Sequence, residues 1–156
     1  MARWSNFSIW RGKLPHWRAD NVHYYVTFKH ARPLTEKECQ ILFSTLLKPQ
    51  GRKWNIDILC VLPEKTEMIV TIETDPSGEP FELSDIVEKA KTKAGKMVIK
   101  LSGERYPPFF FESYDRIMRD DEETESTWQT IADSPHFAGI VDSSDEYQFL
   151  FIIGAP

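Results

Sequence analysis

The sequence predicts an α+β fold of the ferredoxin-like βαββαβ class, an antiparallel sheet with helices on one face, extended by a C-terminal helix and tail. Three observations lead there. Apolar periodicities follow the order strand, helix, strand, strand, helix, strand. The two middle strands are joined by a turn short enough for a hairpin. At 156 residues, 41% hydrophobic and 28% charged, the chain is the size and composition of one ordinary globular domain, residues 1–156.

Residues 1–20 interleave Trp4, Phe7, Trp10 and Trp17 with Arg3, Arg11, Lys13 and Arg18 and show no clean period, so an irregular basic and aromatic arm is expected ahead of a core over 21–156. Such an arm can stack bases and contact phosphates, or simply dock its rings on the core. Residues 22–29 alternate Val22, Tyr24, Val26 and Phe28 and predict the first strand. Thr35 and Glu38 have capping-box spacing and open a helix whose stripe is Cys39, Leu42, Phe43 and Leu46, closed by Pro49 and Gly51. In the hairpin, Trp54, Ile56, Ile58, Cys60 and Leu62 alternate on one strand, and Met68, Val70 and Ile72 on the other, past Pro63. Side chains two apart on a strand share a face, so Lys65 and Glu67 project together.

From Leu83, the positions Ile86, Val87, Ala90, Ala94, Met97, Val98 and Leu101 line one side of a 3.6-residue helix, with Glu88, Lys89, Lys91, Lys93, Lys96 and Lys100 elsewhere, expected as a solvated face rather than the alternative of a binding strip. Gly95 either weakens that helix by about 1 kcal/mol relative to Ala or permits close packing. Residues 109–117 predict another strand. Asp120 and Glu123, again at capping-box spacing, open a helix expected to run to about Ala132 and stop before Pro135. Residues 147–153 predict an apolar terminal strand or packing segment.

Net charge is −5, but unevenly placed: residues 1–53 hold ten Lys/Arg against three Asp/Glu, and residues 54–156 nine against twenty-one. A basic front half suits a polyanion, whereas the acidic total weakens non-specific attraction to nucleic acid. With no signal-like or membrane-length apolar run, a cytoplasmic protein is expected. Cys39 and Cys60 fall within apolar patterns and are expected to be reduced packing residues.

Four pieces in one order resemble the REP-associated tyrosine transposases of the HUH single-strand transposase superfamily. Leu14-Pro15-His16-Trp17 with Tyr24-Tyr25-Val26-Thr27-Phe28 is similar to the family's opening arm and first strand. Residues 61–70 occupy the place of its Met-Pro-Asn-His-X-His-Leu-Leu-Val strand pair. Glu112-Ser113-Tyr114-Asp115-Arg116-Ile117-Met118-Arg119-Asp120 is close to its Glu-Ser-Tyr-Asp-Arg-Ile-Ile-Arg-Asp. Residues 130–135 and 138–141 match the frame of its Tyr-Ile-X-X-Asn-Pro and Ala-Gly-Leu-Val segment.

The resemblance implies DNA transposition chemistry: two histidines and a third polar ligand hold a divalent metal on a single-stranded DNA phosphate, and a helix tyrosine attacks the phosphorus. Here the equivalent positions are Lys65, Glu67, Ser134 and, for the nucleophile, Thr130. An ammonium about 5 Å from a divalent cation repels it by roughly 6 kcal/mol at an effective dielectric near 20, so Lys65 would expel the ion. Glu67 is expected to pair with Lys65, and an aliphatic alcohol at Thr130 leaves far less readily than a phenol. The four histidines, His16, His23, His30 and His136, supply no metal pair on the hairpin. A degenerate site without metal or cofactor, and without strand cleavage, is therefore expected, with single-stranded or hairpin DNA as the partner. Candidate contacts are Arg11, Lys13, Trp17, Arg18, Lys29, Arg32 and Arg116. Two rival expectations stand beside this one: a protein-interaction module with no nucleic-acid role, and a metal-dependent nuclease using Glu67 with Tyr114 or Tyr106.

Overall fold

In the computed structural model the described residues are 22–109, 113–142 and 146–153, together with two strand segments at 8–10 and 16–18. The elements in chain order are β1 (Ser8–Trp10), β2 (His16–Arg18), β3 (Tyr24–Lys29), α1 (Glu36–Leu47), β4 (Trp54–Val61), β5 (Lys65–Ile72), α2 (Leu83–Ser102), β6 (Tyr114–Ile117), α3 (Asp121–Phe137) and β7 (Leu150–Ile152). A five-stranded antiparallel sheet runs β6-β3-β5-β4-β7. Its first four strands have the ferredoxin-like order, and β7 adds an edge strand beside β4.

Burial on both sides of the sheet explains the strand sequences. One face carries Val26, Phe28, Ile56, Leu59, Val61, Met68 and Val70 against Leu42 and Leu46 of α1 and Ile86, Ala90, Ala94 and Val98 of α2. The other carries Ile58, Cys60 and Ile69 against Ile131 and Ala132 of α3. The register of β4 on β5 shifts between Ile56 and Ile58, which puts these two residues on opposite faces. Trp54, Ile56, Leu59 and Val61 face α1 and α2 while Ile58, Cys60 and Leu62 face α3, so the expected single alternation from Trp54 to Leu62 is broken at the bulge.

Helix starts follow their sequence signals. Thr35 Oγ1 accepts from the Glu38 N–H at 3.2 Å while Glu38 Oε1 accepts from the Thr35 N–H at 2.9 Å, the expected capping box, worth about 1 kcal/mol. The Asp120 carboxylate caps α3 at the Glu123 N–H, 2.8 Å away. Gly95 is there for close packing, although its neighbour is a loop rather than the sheet: a Cβ would lie 2.9 Å from Cγ of Pro107.

Several boundaries differ from expectation. The arm is not irregular throughout, because β1 and β2 pair antiparallel, Ile9 opposite Trp17. The sixth strand is the short Tyr114–Ile117, and Phe109 instead forms an isolated bridge with His30. Lys91, assigned to the solvated face of α2, is buried, its ammonium 4.9 Å from the Phe28 ring centre and 3.3 Å from Ser113 Oγ. Most instructively, α3 runs through Pro135 to Phe137. A proline lacks the N–H that would reach the carbonyl four residues back, here that of Ile131. Ser134 Oγ donates to that carbonyl at 2.7 Å, so the helix continues without an unsatisfied acceptor.

Candidate nucleic-acid interface

The site is built on the α3 face of the sheet, where register sets the neighbours. Tyr114, Thr27, Glu67 and Cys60 lie side by side across β6, β3, β5 and β4. The next row toward the sheet interior is Arg116, Tyr25 and Ile69. On the other side of Glu67, Lys29 stands directly opposite Lys65.

Glu67 is only 6% exposed, so its carboxylate requires partners. Lys65 Nζ lies 3.1 Å from Oε1, the ion pair expected from the sequence, and the Tyr25 hydroxyl donates to Oε2 at 2.6 Å. Burial, followed by the hydrogen bond to Glu67, pushes the Tyr25 phenol well above its ordinary range and keeps it a protonated donor. Arg116 stacks its guanidinium over the Tyr25 ring at 5.2 Å and hydrogen-bonds Glu123 of α3, tying β6 to that helix. Burial raises Glu123, but hydrogen bonds from the Arg119 backbone and guanidinium and from Arg116 outweigh it and hold the carboxyl at about 2.

Of the two helix positions singled out from the sequence, Ser134 reaches this row and Thr130 does not enter it through any hydrogen bond. Ser134 Oγ is buried 3.6 Å from Cys60 Sγ, and Cys60 is the strand partner of Glu67. Burial pushes the Cys60 thiol up to about 12, so it is a neutral spacer. Thr130 is exposed one turn earlier, its hydroxyl turned back to the Ser126 carbonyl at 3.0 Å. Tyr106 is 71% exposed and Tyr114 45% exposed.

This donor set does not fit a divalent cation. Both Glu67 oxygens are engaged, an ammonium stands beside them, and the Ser134 hydroxyl is donated to a backbone carbonyl. Among the described residues no group of three His, Cys, Asp or Glu is arranged to hold a metal. His30 is buried beneath the hairpin turn, its Nδ1 donating to the Pro63 carbonyl at 2.8 Å and its Nε2 2.9 Å from Thr66 Oγ1.

The basic candidates separate by place. Lys29, Lys65 and Arg116 lie on the α3 face around Glu67. Strand β2, which carries Trp17 and Arg18, lies alongside β6. Arg32 is held by Glu38 and Glu104 through two ion pairs. Those carboxylates raise the Arg32 guanidinium further above its ordinary range, and Arg32 in turn lowers Glu104 to about 2. Arg11 and Lys13 lie outside the described residues. Tyr25 and Cys60 were not singled out from the sequence as site residues; their place follows from cross-strand register, which strand alternation alone does not supply.

The chain matches no family model and no curated protein. Among solved structures it is similar to a REP-associated tyrosine transposase bound to a REP hairpin, at 15% identity and a TM-score of 0.70, over 90% of this chain and 82% of that one. The chain thus has an α+β fold, a five-stranded antiparallel sheet with helices and a C-terminal helix, consistent with that of the transposase.

Proposed function

We propose that this chain binds folded DNA, a hairpin or a single-stranded stretch, through the α3 face of its sheet and does not cut it. The observation that carries this reading is the Lys29–Lys65 pair. Two exposed lysines stand directly opposite on neighbouring strands, and the Glu67 carboxylate, paired with Lys65, offsets only one of their two charges, so the pair costs up to about 1 kcal/mol. A phosphate seated between them removes that cost and gains two charge-assisted hydrogen bonds. By the sequence resemblance Lys65, joined to Glu67, corresponds to a metal-holding position of those transposases, and on this reading a protein cation meets the phosphate there. The fold likeness to a hairpin-bound transposase supports the choice of DNA, and β2, the strand that carries Trp17 and Arg18, lies beside β6.

The rival nuclease reading needs a metal and a nucleophile, and Glu67 is already engaged by Tyr25 and Lys65. The test is electrophoretic binding of a hairpin, a linear single strand and a blunt duplex between 20 and 300 mM salt, with Mn²⁺ present in a parallel cleavage assay. Expected are hairpin or single-strand binding that weakens steeply with salt, a salt slope reduced by about 0.7 to 0.9 in Lys29→Ala, and no covalent adduct. Absence of binding at 20 mM salt overturns the reading of DNA as partner. A protein–DNA adduct overturns the loss of cleavage.

A further inference from the structure

Away from this face, α1 and α2 enclose a groove of about 580 Å³ on the outer surface of the helical layer. Its charged lining is Lys37 and Lys48 from α1 and its C-terminal turn, with Lys93 and Lys100 from α2, and among the described residues no acidic side chain lines it. Its floor is apolar. Ile41 closes the base, and Met97 and Leu101, 48% and 57% exposed, continue the apolar stripe of α2 beyond the surface the sheet covers. Lys48 lies beside Lys93: a side-chain hydrogen bond with it, followed by its charge, holds the Lys93 ammonium below its ordinary range.

We propose that this groove docks an acidic amphipathic helical segment of a protein partner, its apolar stripe on Met97, Leu101 and Ile41 and its carboxylates on the four lysines. Charge complementarity selects the sign of the ligand, and the floor selects its class. A methionine and a leucine at helical spacing make an adaptable apolar seat for another helix. Among the described residues the lining offers neither an aromatic ring for base stacking nor a guanidinium fork for bidentate phosphate recognition, so nucleic acid is the poorer occupant. The site lies on other elements than Lys29, Lys65 and Arg116, and binding there does not depend on DNA.

The test uses the full chain and two fluorescent 18-residue peptides, one helical with leucines at i, i+3, i+4 and i+7 flanked by glutamates, the other all glutamate, measured by anisotropy in 50 mM salt. Expected is binding of the leucine–glutamate peptide at least tenfold tighter than the polyglutamate. That binding should weaken about tenfold in the Lys93→Glu/Lys100→Glu double variant and severalfold in Met97→Ser/Leu101→Ser. All four side chains are solvent-facing, and unchanged circular dichroism together with unchanged hairpin-DNA affinity shows that the variants remain folded. No peptide binding, equal binding of the two peptides, or peptide binding indifferent to the lysine reversal overturns the proposal. So does a loss of hairpin-DNA affinity in the double variant matching the loss for peptide, which makes the groove a DNA surface. Concentration-dependent self-association abolished by the same variant makes it an interface between copies, and overturns it too. Peptide binding without DNA binding leaves it standing while removing the DNA reading.

Discussion

The Tyr25 hydroxyl donates to the Glu67 carboxylate at 2.6 Å across the β3–β5 pair, and with Lys65 it makes a buried acid tolerable in the middle of a sheet. Removing the phenol leaves one Glu67 oxygen desolvated without its donor. Tyr25→Phe, which keeps the ring under Arg116, is expected to destabilise the protein by about 1 to 3 kcal/mol, since the bond is to a charged acceptor. Urea unfolding checks this. An unchanged midpoint would mean that water replaces the phenol and that Glu67 is not held as described.

Lys65 and Glu67 lie two apart on one strand and on one face, the geometry of a two-ligand metal edge with the wrong side chains. Lys65→His/Glu67→His is expected to confer Zn²⁺ or Mn²⁺ binding that the parent lacks. Binding to the folded state alone raises stability by about 2.7 kcal/mol at a hundredfold excess over Kd, seen as a metal-dependent rise in melting temperature. A similar rise in the parent protein would show that Glu67 already accepts a cation.

The element order, the hairpin, the capping box of α1 and the Asp120 cap of α3 were legible because each rests on local chemistry: alternation at Met68, Val70 and Ile72, or Thr35 three residues before Glu38. Lys65 and Glu67 were legible as a pair for the same reason. The row from Tyr114 to Cys60 was not, because it depends on how strands distant in sequence align. Lys91 was misplaced because helical periodicity marks an angle on the helix and not what packs against that angle, here Phe28 and Ser113. The lysines of α2 likewise show their groove only once α1 lies beside them.

His30 links stability to pH. Burial first, and the nearby Lys91 charge, hold its pKa below the ordinary value near 6.5, with the Pro63 carbonyl only partly opposing them. In the unfolded chain the imidazole takes up a proton near pH 6.5, whereas the folded protein resists doing so until lower pH. Between those values the unfolded state binds more protons, so stability falls as pH drops below about 6.5. His30→Gln, able to keep one hydrogen bond at the hairpin turn, is expected to be less stable at pH 8 and to lose that part of the slope. Urea midpoints from pH 8 to pH 5 measure it; parallel profiles for both proteins would refute the assignment.

The Ser134–Pro135 step makes the strongest case for a coupled pair. Ser134 Oγ supplies the Ile131 carbonyl with the donor that Pro135 cannot offer. Ser134→Ala alone leaves that buried acceptor unmet and is expected to cost about 1 to 2 kcal/mol. Pro135→Ala restores an N–H at the position from which the carbonyl is ordinarily reached, so in that background the serine becomes dispensable. The double-mutant cycle should therefore show a coupling of about 1 kcal/mol, Ser134→Ala costing less beside Ala than beside Pro. Strict additivity would mean that the serine acts only through its packing on Cys60, and α3 would then pass through its proline for some other reason.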